Sequence, residues 1–160
     1  MIGTETSGEI EFFCAFDDAG EAYVTVASDH TDRKLETVSV SKAKQGCSKI
    51  VAPVFWKLSD VADHWDELQL LCEVQPKAGD PWQVYQKGPL AMLLPPDDLL
   101  ERAKKDVPFE GDRVSYFSGT IAVEGGKLIY AEKYRIVLKD PRLGRELAQE
   151  YTVRVLPDRN

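Results

Sequence analysis

The stretch from Glu9 to Lys34, EIEFFCAFDDAGEAYVTVASDHTDRK, decides how this chain is read. EIEFFCAF, Glu9 to Phe16, is rich in aromatic and aliphatic residues and reads as a strand. DDAGE then supplies the acidic and small residues of a tight turn. AYVTVA, Ala22 to Ala27, reads as the return strand, and the polar run SDHTDRK marks where the chain leaves the sheet. Side chains two apart on a strand share a face, so Glu9 and Glu11 project side by side with their roots roughly 6 to 7 Å apart. Asp29 follows the hairpin closely enough to fold back beside them.

Downstream of this hairpin, Leu35 to Lys49 gives a mixed signal: Val38 and Val40 suggest extended chain, whereas KAKQGCSK suggests a loop. SDVADHW, Ser59 to Trp65, predicts a short helix with a Ser or Asp cap, followed by the apolar strand LQLLCEV. A turn at KAGDP leads to a return strand, WQVYQ, in which apolar and polar residues alternate. Pro95 and Pro96 open DDLLERAKKD, whose acidic start and basic end suit the helix dipole; this is the clearest helix signal in the chain. VSYFSGT reads as a strand closing on a glycine. KYRIVLKD, the turn PRLG and ELAQEYTVRVL predict a C-terminal hairpin. The count favours sheet over helix, and the expected architecture is a single mainly-β domain over 1–160, a sandwich or rolled sheet with minor α.

Composition narrows the partners. The net charge of -7, with both signs interspersed, offers no face for a phosphate backbone, so nucleic acid is not expected. Cys14, Cys47 and Cys72 are odd in number and lack CxxC spacing, which argues against a disulfide framework and a zinc knuckle and fits a reducing compartment. No run approaches the ~20 apolar residues of a membrane span, and MIGTETSGEIEF lacks a signal pattern, so the reading is cytoplasmic with no membrane partner.

On spacing alone, an ExE pair on a strand is more often a solvated face than a site. The chemical reading is that parallel carboxylates repel and that a hard divalent cation is the usual means of holding them together. His30 is placed to orient Asp29 or to move a proton, and Arg33 to brace Asp29 or Asp32. Thr120, beside Gly119, can present its hydroxyl and nearby backbone N–H groups to a substrate carboxylate, or it can simply form a turn. His64, between Asp63 and Trp65, reads as a packing or surface residue.

SDHTDR, Ser28 to Arg33, resembles the segment of the fumarylacetoacetate-hydrolase superfamily in which an Asn-Asp pair is followed by Ser and then Arg; Asp29, Thr31 and Arg33 keep that spacing. GEIEF resembles the glutamate pair of that family. FEGDRVSYFSGTIAVEGG is similar to its Pro-Gly-Asp strand ending in a Thr-Gly-Thr or Ser-Gly-Thr loop, through Gly111, Asp112, Gly119 and Thr120. WQVYQKGPLAMLLPPDDLLERA and PRLGRELAQEYTVRVL resemble its helix segment and its final hairpin. The likeness spans nearly the whole chain and points to a branch bearing the SDHTDR signature.

This resemblance implies a mixed β-sandwich roll, usually a homodimer. It assigns Glu9, Glu11 and Asp29 as ligands of a divalent cation, magnesium first, with manganese or calcium as alternatives. It implies a lysine contacting metal-bound substrate oxygens, Lys44 first, with Lys42 or Lys49 next. Gly119, Thr120 and Arg33 fall on the substrate side, and His30 replaces an apolar or aromatic residue of the family. Members generally carry additional chain before the glutamate strand. The implied activity is that of a metal-dependent hydrolase or lyase on a 2-oxo acid or β-dicarbonyl, cleaving a C–C bond or decarboxylating through a metal-stabilised enolate. The alternative is a non-catalytic or partner-dependent metal-binding relative of the same fold.

Overall fold

The computed structural model describes residues 3–106 and 114–156, so Gly111 and Asp112 of the resemblance lie outside the described residues. The chain runs through β1 (Thr6–Ser7), β2 (Ile10–Phe16), β3 (Ala22–Ser28), β4 (Thr31–Asp32), α1 (Arg33–Glu36) and α2 (Val40–Gln45). It continues with β5 (Ile50–Val51), β6 (Trp56–Lys57), β7 (Gln69–Gln75), β8 (Gln83–Pro89) and α3 (Pro96–Asp106). It ends with β9 (Tyr116–Phe117), β10 (Lys133–Asp140) and β11 (Arg145–Thr152). Two larger antiparallel sheets result, one ordered β5-β3-β2-β9 with β6 also on β3, the other β11-β10-β7-β8, and β1 pairs with β4 in a short antiparallel ribbon. The mainly-β architecture read from the sequence is the one observed.

Alternation along β2 explains both the core and the site. Ile10, Phe12 and Cys14 pair with Ser28, Val26 and Val24 and point into the core. There they meet Leu70, Cys72 and Val74 of β7 and Ile136 and Leu138 of β10. Phe12 packs edge-on against Trp65 at 5.0 Å between ring centroids. The intervening residues Glu9, Glu11 and Phe13 must take the other face. The ladder also extends one residue past β3, because the Asp29 amide donates to the Glu9 carbonyl at 3.0 Å. Asp29 is therefore the cross-strand neighbour of Glu9.

Several elements differ locally from the sequence reading. The segment 35–49 holds the end of α1 and all of α2, helices capped by Asp32 at the Leu35 amide (2.9 Å) and by Ser39 at the Lys42 amide (3.4 Å). Val38 and Val40 lie exposed beside them, so their apolarity carried no burial signal. Ser59 to Trp65 forms 3-10 turns rather than an α-helix, interrupted at His64 by a non-helical φ of -139°. That residue is a packing residue: its ring is buried against Asp63 and Asp140, and Asp140 also accepts from Arg145 Nε at 3.0 Å. Of VSYFSGT only Tyr116 and Phe117 are strand, pairing with Cys14 and Phe13. No helix of the described residues is long and apolar enough to cross a membrane.

Gly8 sits where the entry to β2 passes against the other sheet. A methyl group there would lie 2.6 Å from Tyr151 Oη and 3.0 Å from the Tyr134 ring. Those rings are stacked on one another at 5.1 Å, so either one would have to shift to admit the methyl group. Gly8→Ala is expected to lower stability by about 1–3 kcal/mol, read from the urea midpoint at unchanged m-value; an unchanged midpoint would show that the strand entry gives way freely.

Candidate metal centre

The three carboxylates expected to gather do so. Glu9, Glu11 and Asp29 are all buried, and one ligand oxygen from each lies within 4.8 Å of the others. Three elements bring them together: β2 carries the glutamates on one face, the extended ladder sets Asp29 opposite Glu9, and the Gly119 loop closes over Glu11. The Gly119 amide donates to Glu11 Oε2 at 2.7 Å. Gly119 has a φ of +87°, a backbone state that favours glycine. Thr31, in β4, donates at 3.4 Å to Glu9 Oε2 and at 2.8 Å to the Asp29 carbonyl.

Three cations surround this cluster, paired with Glu9 and Asp29. Arg33 Nη1 donates to Glu9 Oε1 at 2.8 Å and to Glu36 Oε2 at 2.9 Å, while its Nε donates to Ser7 Oγ at 2.7 Å. The brace thus holds Glu9 instead of Asp29 or Asp32. Asp32 is occupied in capping α1, and the Arg33 amide is tied to the Glu5 carbonyl at 2.8 Å, which turns its side chain toward β1 and β2. Lys44, from α2, bridges Glu9 Oε2 and Asp29 Oδ2, the latter at 2.8 Å. Burial pulls the Lys44 ammonium down, but its bonds to Asp29 and Glu9 outweigh that and hold it above its ordinary value, so it stays charged.

Lys49 is a second lysine at the centre. It pairs with Asp29 Oδ1 and donates to the His30 carbonyl at 2.9 Å. The Asp29 pair lacks hydrogen-bond angles, so Oδ1 is buried without a hydrogen-bond donor. Lys42 makes no side-chain bond to these carboxylates among the described residues. Lysine identity in KAKQGCSK could not be resolved from spacing because it depends on how α2 is aimed.

The remaining predicted residues take supporting places. His30 is fully buried, with Nε2 3.0 Å from Thr6 Oγ1 and Nδ1 3.1 Å from Tyr151 Oη, so its ring is bonded to neighbours other than the carboxylates. Burial, then the Arg33 and Lys49 charges, lower it to about 4. The Thr120 hydroxyl donates to the Ile10 carbonyl at 2.8 Å and accepts from Gln86 Nε2 at 2.8 Å. Gln86 also accepts from the Ile10 amide at 3.0 Å. This buried glutamine fastens the Gly119–Thr120 loop to β2, a role the sequence reading did not assign. Its only sequence signal was a polar residue in a strand that should have been half apolar.

The donor set fits a hard divalent cation. It offers carboxylate oxygens only, and one of them, Asp29 Oδ1, is buried with the Lys49 ammonium against it, a charge a cation could take over. Burial pushes the Glu11 carboxyl up to about 8, against the Gly119 amide, with Asp29 and Glu9 adding to the rise.

Comparison with known proteins bears on this centre. The family model described as "Protein of unknown function (DUF2848)" matches residues 1–151. The chain belongs to the DUF2848 family. No curated protein matches its sequence. Among solved structures, a hexagonal crystal form of 2-keto-3-deoxyarabinonate dehydratase matches with a TM-score of 0.67 at 19% identity, over 96% of this chain and 52% of that one. The 2-keto-3-deoxy-D-arabinonate dehydratase complexed with magnesium and 2,5-dioxopentanoate matches with a TM-score of 0.64 at 18% identity, over 94% of this chain and 54% of that one. The DUF2848 chain therefore spans about half the length of these structures and shares their fold, the fumarylacetoacetate-hydrolase type expected from its sequence.

Two buried groups at the centre make opposing contributions to the pH dependence of the metal-free protein, beside His64, which its bonds to Asp63 and Asp140 hold above its ordinary value. Glu11, raised from its ordinary 4.5 to about 8, keeps its proton in the folded state after the unfolded chain has lost it, so its contribution to stability falls as pH rises from 4.5 towards 8. His30, lowered from 6.5 to about 4, stays neutral while the unfolded chain takes up a proton, so stability falls as pH drops from 6.5 towards 4. The two oppose each other between 4.5 and 6.5. In metal-free protein, Glu11→Gln is expected to reduce the fall in melting temperature from pH 6.5 to 8, leaving the part that His64 contributes, and to uncover the His30 fall from pH 6.5 down to 4; a melting curve with the same alkaline slope in the variant refutes the assignment.

Proposed function

We propose that this DUF2848 chain is a divalent-metal-dependent lyase or hydrolase acting on a 2-oxo acid or β-dicarbonyl. The observation that carries the reading is the buried triad Glu9, Glu11 and Asp29 with a lysine ammonium bridging two of its members. Support also comes from the shared fold with a dehydratase whose complex holds magnesium and 2,5-dioxopentanoate, which favours the lyase class and magnesium. A homodimer in the cytoplasm completes the reading.

In this scheme Glu9, Glu11 and Asp29 hold the cation, which when bound supplies Lewis-acid polarisation of a substrate oxygen. Arg33 fixes the Glu9 carboxylate in place and neutralises part of its charge. Lys44 and Lys49, the half-exposed members of the cluster, are freed from carboxylate oxygens to meet the substrate's acid group and the oxygen on which negative charge develops. The Gly119–Thr120 loop borders the substrate and orients Glu11 through the Gly119 amide. His30 acts as a positioning residue, holding the chain between Asp29 and Thr31 through Thr6 and Tyr151, in place of the proton-moving role that its sequence position suggested.

Calorimetric titration of metal-free protein with magnesium and manganese is expected to show saturable binding that the Glu9→Ala, Glu11→Ala double variant loses. Lys44→Met is expected to retain the metal but to lower kcat on a 2-oxo acid by ~100-fold, the typical cost of removing one charge-stabilising donor. Intact protein that binds neither metal would end the enzyme reading.

A further inference from the structure

The face that carries the carboxylates does not end at Glu11. Two residues further along β2, on the same face, lies Phe13, and its cross-strand partner on β9 is Phe117. Their rings meet at 5.0 Å between centroids, and Phe55 closes on Phe13 from the other side at 6.4 Å. All three are half-buried. The wall begins ~7 Å from the root of Glu11, two residues along the strand. Beyond it, a shallow cavity of about 230 Å³ continues in the same direction, lined by Ala15, Phe16, Asp17, Tyr23 and Phe55; Asp17 Oδ1 already accepts from the Glu21 amide at 2.9 Å.

Polar groups along this track are already committed. The Thr25 hydroxyl, across from Phe13, donates to the Val54 carbonyl at 2.7 Å. The Tyr23 hydroxyl donates to Asp17 Oδ2 at 3.0 Å. What remains for a ligand is hydrocarbon and ring surface, joined to a head site where Lys44 and Lys49 supply positive charge. A surface with that order, cations then carboxylates then aromatic rings, complements an amphipathic acid: a charged, chelating head and an apolar tail. Between the rings of Phe13, Phe117 and Phe55 a hydroxylated tail would lose water with no side-chain donor or acceptor of those rings to replace it.

We propose that the substrate of this centre carries an apolar, ring-sized tail that lies along the outer face of β2 against Phe13, Phe117 and Phe55. The inference rests on the proposed function and deepens it, because it separates aryl-bearing 2-oxo acids from sugar acids as the substrate class. The rings act on binding, through edge and face contact with the tail, and take no part in bond breaking.

The test uses magnesium-loaded protein and three ligands that differ only in the tail: pyruvate, phenylpyruvate and a hydroxylated 2-oxo acid of similar length. Calorimetry is expected to give phenylpyruvate an affinity about tenfold above the other two, the order of one buried ring contact. Phe13→Ala and Phe117→Ala are expected to weaken phenylpyruvate at least fivefold more than pyruvate, with unchanged far-UV circular dichroism. Equal affinities for the three, with pyruvate still requiring magnesium, would overturn the tail assignment alone. Phe13→Ala that turns a dimer into a monomer while leaving any tail preference intact would overturn it too, giving the face to a second copy of the chain. Pyruvate that binds equally with and without magnesium would instead overturn the metal centre, and the tail proposal with it.

Discussion

Three carboxylates within 4.8 Å of one another inside a protein repel, and each has given up water to be there. The fold tolerates Glu9, Glu11 and Asp29 because Arg33, Lys44 and Lys49 are brought to the same place and because Gly119 and Thr31 donate hydrogen bonds to the glutamates. Removing one partner from such a cluster leaves a buried charge uncompensated, which is costlier than never having built the pair. Much of the first 50 residues can be understood as the scaffolding this arrangement needs: a hairpin to align Glu9 with Asp29, a short strand pair to aim Arg33, and a short helix to deliver Lys44.

Lys44 occupies the position between Glu9 and Asp29 that a divalent cation would share. An ammonium in that position neutralises the carboxylates without fixing their geometry as tightly as a metal does, and it remains partly exposed, so it can be displaced toward a ligand. Glu11 stands apart from these ion pairs. Its bond is to a backbone amide, and its burial, with Asp29 and Glu9 beside it, is why its proton affinity is raised so strongly. The centre is therefore asymmetric: one side is charge-paired, and the other is held by a loop that Gln86 fastens to β2. The same outer face of β2 then passes from charge to aromatic surface within two residues.

The mismatches between sequence reading and structure have separate physical causes. WQVYQ alternates as a half-buried strand should, but the register shifts opposite Cys72 and Glu73, so that Tyr85 and Gln86 are both buried while Trp82 and Val84 are left exposed. A bulge moves the pattern by one residue, and strict alternation cannot announce it. In SDVADHW the apolar spacing and cap suited a helix, yet His64 is drawn to Asp63 and Asp140, and that contact takes the backbone out of helical geometry. Arg33 was correctly placed near the acids, but its partner was misread because Asp32, its neighbour in sequence, is spent on a helix cap.

The sequence by itself determined the β2–β3 hairpin, the mainly-β class, the helix after Pro95 and the nearness of Asp29 to the Glu9–Glu11 pair, while their role as one ligand set was what the family resemblance implied. These follow from local rules: period-two alternation, turn chemistry and the short reach of a hairpin, all of which act within about 20 residues. The tertiary structure alone decided which lysines meet the carboxylates, that Arg33 serves Glu9, that His30 is sealed between Thr6 and Tyr151, and that Gln86 ties the Gly119 loop to Ile10. Each of those contacts depends on the aim of a helix, a bulge or the packing of one sheet on the other. Side chains 121 residues apart, such as His30 and Tyr151, meet only once the two sheets have closed.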